Sequence, residues 1–279
     1  MSTNVVVVTG AGGMGQAVAR RLGPGAHLVL ADFNEESLVG VADQLRGEGY
    51  EVTPVVTDVS SRAAVTDLAQ KAASLGEVRS VVHTAGLSPV QAPVAAILAV
   101  DLLGVALVVE QFGEVVAAGG AGVVVASMAG HVYPTLTREQ SLELARTPAD
   151  QLLSLPIADP GNFPAGTAAY AFAKHANLLR VQAASTTWGR RGARINTISP
   201  GAIATPMGQA ELGSDHNKGM QATIDGSNAG RMGTAAEIAA ATEFLLGPSA
   251  AFISGTDLLV DGGAFAAIRS GHLDLGWSS

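Results

Sequence analysis

The run Val5-Val6-Val7-Val8-Thr9-Gly10-Ala11-Gly12-Gly13-Met14-Gly15 decides how the rest of the chain is read. Four valines and a threonine in succession have the length of a strand and no polar face, the pattern of a strand buried on both sides of a parallel sheet. The glycines that follow spell G-x-G-x-x-G and lead into the helical segment Gln16-Ala17-Val18-Ala19-Arg20-Arg21-Leu22. Glycine lets such a turn tighten and lets the backbone approach a pyrophosphate, which sits on the free N–H groups of the helix N-terminus. Glycine-rich turns are common in a chain with 34 glycines. The motif gains its weight from standing between a strand and a helix.

Outward from that turn the alternation continues. A second strand, His27-Leu28-Val29-Leu30-Ala31, ends at Asp32, 22 residues after Gly10. A carboxylate at that distance accepts hydrogen bonds from the adenosine ribose hydroxyls and repels a 2′-phosphate. No arginine or lysine follows at Phe33 or Asn34, so NAD is expected over NADP; the structural alternative is that Asp32 begins a turn or caps the helix from about Asn34 to Arg46. A third strand, Val52 to Val56, stops at Thr57-Asp58-Val59, where Asp58 either touches the adenine or is a loop acid before the helix Arg62 to Ala73. The fourth, Arg79 to His83, gives way to Thr84-Ala85-Gly86, whose small residues let the chain pass close under a cofactor. His83 reads as a strand-end residue more than a catalyst. A helical region from about Val90 to Ala117 precedes a fifth strand, Gly122 to Ala126, which ends at Ser127-Met128-Ala129-Gly130. Strands and helices alternating at this spacing predict one doubly wound α/β domain over residues 1–279. Its parallel sheet has about seven strands in the order 3-2-1-4-5-6-7, with helices on both faces. Thr9, Asp32, Asp58, His83 and Ser127 then share the carboxyl edge of the sheet, where ligands bind in such folds.

The second half carries the candidate chemistry in Tyr170-Ala171-Phe172-Ala173-Lys174. Residues four apart on a helix lie on one face. An ammonium beside a phenol favours the phenolate and draws a pKa of about 10 toward the working range of a general acid/base. With three tyrosines and three lysines in the chain, a chance Y-x-x-x-K arises with a probability of roughly 0.03. A surface lysine beside a half-buried tyrosine is the bland alternative. Between Ser127 and this pair, residues 131–168 break the rhythm, with short amphipathic helices expected over Leu136 to Ala145 and Ala149 to Leu155 among Pro148, Pro156 and Pro160. A connection of that length is a lid, an interface or disorder, and its apolar residues argue against disorder. A sixth strand around Ala193 to Ile198, a patternless candidate flap over residues 202–230, a helix over Ala235 to Leu246 and a last strand, Asp257 to Val260, complete the order. The tail, residues 264–279, carries Trp277 and no assignable chemistry.

Composition narrows the function. The chain has no cysteine, which excludes disulfides, thiolate metal sites and cysteine nucleophiles. It shows no basic, apolar leader ahead of Val5, and Asp101 interrupts its longest apolar stretch, Val94 to Val109. A net charge of −8 argues against nucleic acid as a partner. The expectation is a cytoplasmic protein acting on a small molecule, bound to neither membrane nor nucleic acid.

Taken together, these segments resemble the short-chain dehydrogenase/reductase family. Thr9 to Gly15 resembles its glycine-rich turn, Thr84-Ala85-Gly86 its Asn-Ala-Gly element, Ser127 with Gly130 its catalytic serine, and Tyr170 with Lys174 its Y-x-x-x-K. Pro200-Gly201 with Thr205 resembles its nicotinamide-side loop. Arg231-Met232-Gly233 with Glu237-Ile238-Ala239, then Ser254-Gly255 and Val260-Asp261-Gly262-Gly263, resemble its C-terminal signatures. The likeness spans residues 4 to 263. It implies reversible hydride transfer between a nicotinamide ring and a carbonyl/alcohol carbon. Ser127, Tyr170, Lys174 and Asp101 stand at the catalytic positions. NAD is held along Gly10, Gly12, Met14, Gly15, Asp32, Asp58, Val59, Ala85, Gly86, Tyr170, Lys174, Pro200, Gly201, Ile203 and Thr205. The family resemblance also implies a homodimer or homotetramer.

Four departures from the family pattern bear on this. The glycine turn is one residue shorter than the usual G-x-x-x-G-x-G. Thr84 replaces the asparagine before Ala-Gly. Asp101 stands where the family has an asparagine that organises the proton-relay water, and its charge would oppose the lowering of the Tyr170 pKa by Lys174. Ser127 and Tyr170 are 43 residues apart where the family has about a dozen, so the insertion either roofs the substrate pocket or alters packing between subunits. Met128, Val132, Ile203 and Met207 flank the site and suggest an apolar substrate, a hydroxysteroid or another bulky secondary alcohol. The competing readings are an NAD-binding sensor or scaffold without turnover, and a nucleotide-sugar epimerase or dehydratase. Little chain remains after Gly263 for the substrate domain of the latter.

Overall fold

The valine run forms the central strand of the molecule. In the computed structural model, which describes residues 3–90, 92–213 and 217–274, β1 (Asn4–Thr9) is buried from Val5 onward and pairs in parallel with strands on both sides. α1 (Gly13–Leu22), β2 (His27–Asp32), α2 (Glu35–Gly47), β3 (Glu51–Val56), α3 (Arg62–Leu75) and β4 (Glu77–His83) follow in strict alternation. Asn34 caps α2 by accepting from Ser37 N–H, and Ser61 caps α3 from Ala64 N–H, which stops the chain extending and starts each helix. Next come α4 (Val94–Val115), β5 (Val116–Val125), α5 (Arg138–Arg146), the single turn α6 (Ala149–Leu152), α7 (Gly166–Arg190) and β6 (Arg194–Pro200). The chain ends with α8 (Pro206–Leu212), α9 (Asn217–Gly226), α10 (Ala235–Leu246), β7 (Asp257–Val260) and α11 (Ala264–Arg269). All seven strands are parallel in the order β3-β2-β1-β4-β5-β6-β7, as the alternation predicts. A short ladder pairs Ile203–Ala204 with Gly233–Thr234.

Helices cover both faces. One face packs α3, α4 and α7 on the valines of β1, β4 and β5 around Phe112, Phe172 and Trp188, all fully buried. The other packs α1, α2 and α10 around Leu28, Leu30, Leu38 and Leu45. The Trp188 indole N–H donates to Val109 O, so the largest core side chain also satisfies its one polar atom.

Several boundaries differ from the sequence reading. The helix expected from Val90 begins at Val94, behind Pro93, whose ring removes the N–H that would continue it backward. β5 begins at Val116, where helix was expected up to Ala117, and a register shift at its start absorbs the glycines before Ala121. Among the described residues α4 is the one helix long and apolar enough to cross a bilayer, and more than half of that stretch is buried inside the fold. Residues Leu98–Gly104 of α4 are wound as π-helix, widening the turn at Asp101. The patternless stretch after Gly201 folds into the two-residue ladder, α8 and α9. Trp277 lies outside the described residues.

The 131–168 insertion is part of the core. Leu144, Ala149, Leu152, Ala158 and Phe163 are buried in the cluster that holds Phe112 and Phe172. It packs along the flank of α4 and α7. Arg180 of α7 donates from Nη1 to Leu144 O and Thr147 O at 3.0 and 2.9 Å, and from Nη2 to Glu110 Oε1 at 3.3 Å. Glu110 also accepts from Ala149 N–H, and Arg62 bridges Glu110 and Asp150. Tyr133 and Phe163 stack on Phe172, which lies about 200° round α7 from Tyr170. These contacts anchor the insertion on the flank of α7 that carries Phe172 and Arg180.

Candidate active site

The carboxyl ends of β1, β2, β4, β5 and β6 meet along one edge, and the site is built there from short turns. Gly10 has φ of +90°, and a Cβ on it would stand 2.6 Å from Ala85 N, so only glycine lets β1 turn beside the loop after β4. Thr84 fastens that contact, its hydroxyl donating to Thr9 O and Gly10 O at 3.0 and 2.9 Å. The threonine that departs from the family asparagine thus ties the glycine turn to β4. A Cβ on Gly12 would meet nothing within 4 Å, and α1 starts at Gly13 with no side-chain cap and no acid in its first turn. An open glycine before an uncapped helix N-terminus suits an anionic pyrophosphate. Asp32, at the end of β2, accepts from Ala11 N–H at 2.7 Å and Asn34 N–H at 3.0 Å, which fixes its carboxylate beside the turn. These residues fit the adenosine diphosphate half of a nicotinamide dinucleotide.

The loop after β6 borders the same edge. Thr205 and Pro206 lie 3.2 Å from where a Gly13 Cβ would be, so the loop after β6 rests on the glycine turn. Thr205 caps α8 by accepting from Gly208 N–H. Gly201 packs against the backbone of Asp261, with Gly201 N–H donating to Val260 O. Ile203 is buried against Gly233, and Met207 stands exposed. Asp58 turns back to accept from Ser60 N–H and Oγ at 2.9 and 2.7 Å, the loop-acid arrangement, while Val59 packs on Gly104 of α4.

Ser127 follows β5 in extended conformation and heads a 3₁₀ turn, Met128–His131. Gly130 lets that turn lie on α7, since a Cβ there would stand 2.8 Å from the Lys174 backbone. His175 Nδ1 and Gly130 O are 2.9 Å apart, and His131 pairs with Asp257 of β7 at 2.8 Å. Across 43 residues of sequence, Ser127 and Tyr170 are brought within hydrogen-bonding reach. Below them Lys174, 4 % exposed, places Nζ 5.2 Å from the centre of the Tyr170 ring and 3.4 Å from Val125 O.

Lys174 is not a lone cation. Its Nζ is 3.0 Å from Asp101 Oδ1, and Asp101 is fully buried, its Oδ2 accepting from Leu87 N–H at 3.1 Å. Gly86 is small because a Cβ there would sit 2.7 Å from that carboxylate. Asn177, one turn beyond Lys174, donates from Nδ2 to Asp101 O at 3.0 Å. The expected tuning is therefore reversed. Burial pushes the Tyr170 phenol above its usual range; Lys174 pulls it down, and Asp101 and Glu211 push it up. Burial also raises the Asp101 carboxyl against the pull of Lys174. For Lys174, burial favours the neutral amine, yet Asp101 and Tyr170 hold the ammonium and its pKa is raised. His83 is buried and neutral, its pKa lowered to about 3 by burial and then by Lys174, with Nδ1 2.6 Å from Thr9 Oγ1. It is the strand-end residue its position suggested.

The sequence reading did not single out Asn177, Ser88 or Glu211. Asn177 lies seven residues after Tyr170 on the same face as Lys174, a periodicity that points to it directly. Ser88, in the loop after β4, and Glu211, in α8, face each other, with the Ser88 hydroxyl donating to Glu211 Oε1 at 2.8 Å. No sequence pattern links them.

Comparison with known proteins agrees with this geometry. Residues 4–137 match the short chain dehydrogenase family, and residues 159–264 match a family described as enoyl-(acyl carrier protein) reductase. A short-chain dehydrogenase/reductase of Alternaria brassicicola, bsc3, is 40 % identical over 267 residues, covering 95 % of this chain and 97 % of that one. The 3-alpha-hydroxysteroid dehydrogenase/carbonyl reductase of Comamonas testosteroni is 27 % identical over 271 residues, with 95 % and 98 % covered. The crystal structure of levodione reductase superposes with a TM-score of 0.75 at 28 % identity, over 95 % of this chain and 98 % of the other.

Proposed function

The chain belongs to the short-chain dehydrogenase/reductase family, and from that premise we propose that it interconverts a secondary alcohol and a carbonyl, with Tyr170 as general acid/base and NAD as cofactor. The observation that carries this reading is one cluster: Ser127, Tyr170, Lys174 and Asp101 meet at the edge that also holds the glycine turn and Asp32. Bound NAD supplies the hydride acceptor, and NADH the donor. Ser127 hydrogen-bonds the substrate oxygen as charge develops on it. Tyr170 gives that oxygen a proton in reduction and takes one in oxidation. Lys174 holds the nicotinamide ribose and, with Asp101, sets the charge beneath the phenol.

A phenol held above its ordinary range stays protonated at neutral pH, the form that serves carbonyl reduction, and alcohol oxidation is favoured as pH rises. The choice of NAD rests on Asp32, a carboxylate where a 2′-phosphate would lie. The names borne by the relatives, dehydrogenases and reductases throughout, support the reaction class.

The test is Tyr170→Phe. Turnover of any substrate falls by at least a hundredfold, while NAD binding by titration stays within a factor of about three. Retained turnover overturns the assignment of Tyr170. NAD binding by the wild type with no turnover of any secondary alcohol or ketone supports a sensor instead.

A further inference from the structure

Helix α7 takes hold of Asp101 at two points one turn apart. Lys174 Nζ is 3.0 Å from Oδ1 of its carboxylate, and Asn177 Nδ2 donates to its main-chain carbonyl at 3.0 Å. Lys174 and Asn177 share one face of the helix, and both are buried, Asn177 completely. Leu87 N–H, donating to Oδ2, fastens the carboxylate to the loop after β4. Asp101 thus has its side chain held by Lys174 and Leu87, and its backbone held by Asn177.

The backbone bond meets α4 where its winding changes. Leu98–Gly104 is π-helix between α-helical stretches, and Asp101 is its central residue. The stretch holds no proline. Gly104, at its end, is accounted for by Val59, whose Cγ2 would stand 2.9 Å from a Cβ there. A side chain that donates into the carbonyl ladder of a helix is one of the few causes of local unwinding, and π-turns are otherwise rare. Asn177 is such a donor, reaching in from another helix. Packing alone does not call for an amide at this position. Burying one is costly unless its polar atoms are paired, and Asn177 Oδ1 has no hydrogen-bond partner among the described residues. A leucine would fill about the same space without that cost. What the amide supplies is the N–H that holds the Asp101 carbonyl.

We infer that Asn177 is a positioning residue for the Tyr170–Lys174 pair: its bond to the Asp101 carbonyl holds α4 in the π-turn from which the Asp101 carboxylate meets Lys174. It acts through Asp101, and the inference rests on the proposed dehydrogenase reading. The charges that act on the phenol are Lys174 on its own helix, Asp101 from α4 and Glu211 from α8, while His83 of β4 is neutral. Asn177 touches Asp101. Without the bond, the turn relaxes toward α winding and the carboxylate draws away from Lys174, so the phenolate is opposed less.

The experiment is a double-mutant cycle of Asn177→Leu and Asp101→Asn. Two readouts follow Tyr170: the rising limb of kcat/KM for alcohol oxidation with NAD, and ultraviolet titration of the phenolate, which needs no substrate. In Asn177→Leu both are expected to move toward acid by about 0.5–1.5 pH units, and by less than about 0.2 units where Asp101 is already asparagine. Asn177→Ser, whose shorter hydroxyl turns back to a carbonyl of its own helix, gives the same shift and carries the test should the leucine variant not fold. A limb or a titration that stays in place or moves toward alkaline pH, with only the melting temperature lowered, makes Asn177 a structural residue and overturns the inference. An equal shift with and without the Asp101 carboxylate overturns it too, since Asn177 would then act by another route. A titration that shifts as expected, in a protein that turns over no secondary alcohol, supports the positioning role and overturns the dehydrogenase reading.

Discussion

Asp101→Asn removes one charge from beneath Tyr170 and leaves the shape of the side chain nearly unchanged. Lys174 Nζ is 5.2 Å from the tyrosine ring centre and 3.0 Å from Asp101 Oδ1, so the carboxylate oxygen lies no more than about 8 Å from the ring. At an effective dielectric constant of about 20, the ammonium alone favours the phenolate by about 3 kcal/mol, and the carboxylate opposes it by about 2 kcal/mol. Two kcal/mol is roughly 1.5 pH units. Asp101 disfavours the phenolate, so its removal lets Tyr170 ionise at lower pH. The rising limb of kcat/KM for alcohol oxidation moves toward acid by about 1.5 units.

The opposing effect is loss of the Lys174 ammonium, which burial disfavours and Asp101 supports. Were Lys174 to go neutral, the limb would move toward alkaline pH. The asparagine oxygen can still accept from Lys174, at the cost of the bond from Leu87 N–H, about 1–3 kcal/mol of stability that a urea melt reads separately. Ultraviolet titration of the phenolate, with Tyr170→Phe as the blank, follows the same ionisation without a substrate. A limb and a titration that stay in place, or move toward alkaline pH, refute the electrostatic argument.

Two further outcomes follow from bonds in the structure. Asp32→Ala removes the carboxylate held by Ala11 and Asn34 N–H groups and with it the charge facing a 2′-phosphate. The ratio of NADP to NAD dissociation constants, measured by titration, should fall by tenfold or more, and an unchanged ratio removes Asp32 from cofactor choice. Arg180→Met leaves Leu144 O, Thr147 O and Glu110 without their buried donor, a loss of about 3–5 kcal/mol in chemical denaturation. Limited proteolysis should then cut within residues 138–152 faster than in the wild type. Equal cleavage would mean that apolar packing alone holds the insertion.

How much of this was legible in the sequence depends on how local its cause is. The strand order follows from alternation and from Val5 to Gly15, because a two-face-buried strand before a glycine turn leaves few arrangements open. The Tyr170–Lys174 pair is legible because helical spacing alone makes the two neighbours. The π-helical turn at Asp101 is not, since no residue in Leu98–Gly104 announces it. That turn sets how the carboxylate meets Lys174, so the sequence could place Asp101 near the relay and still not say that it forms a direct ion pair. Ser88 and Glu211 were out of reach for a different reason. Their contact joins the loop after β4 to α8, and such packing is fixed by tertiary structure alone.

The insertion belongs to the same class of problem, and its solution constrains the site. A 43-residue separation between Ser127 and Tyr170 says only that the chain leaves and returns. Where it goes is decided by Arg180, a buried cation on α7 that needs acceptors. Glu110 supplies a carboxylate, and the carbonyls of Leu144 and Thr147 supply the rest, so α5 is drawn onto the flank of α7. Phe172 then receives Tyr133 and Phe163 on the side opposite Tyr170. The same helix thus carries the Tyr170–Lys174 pair on one face and the insertion's anchor on the others.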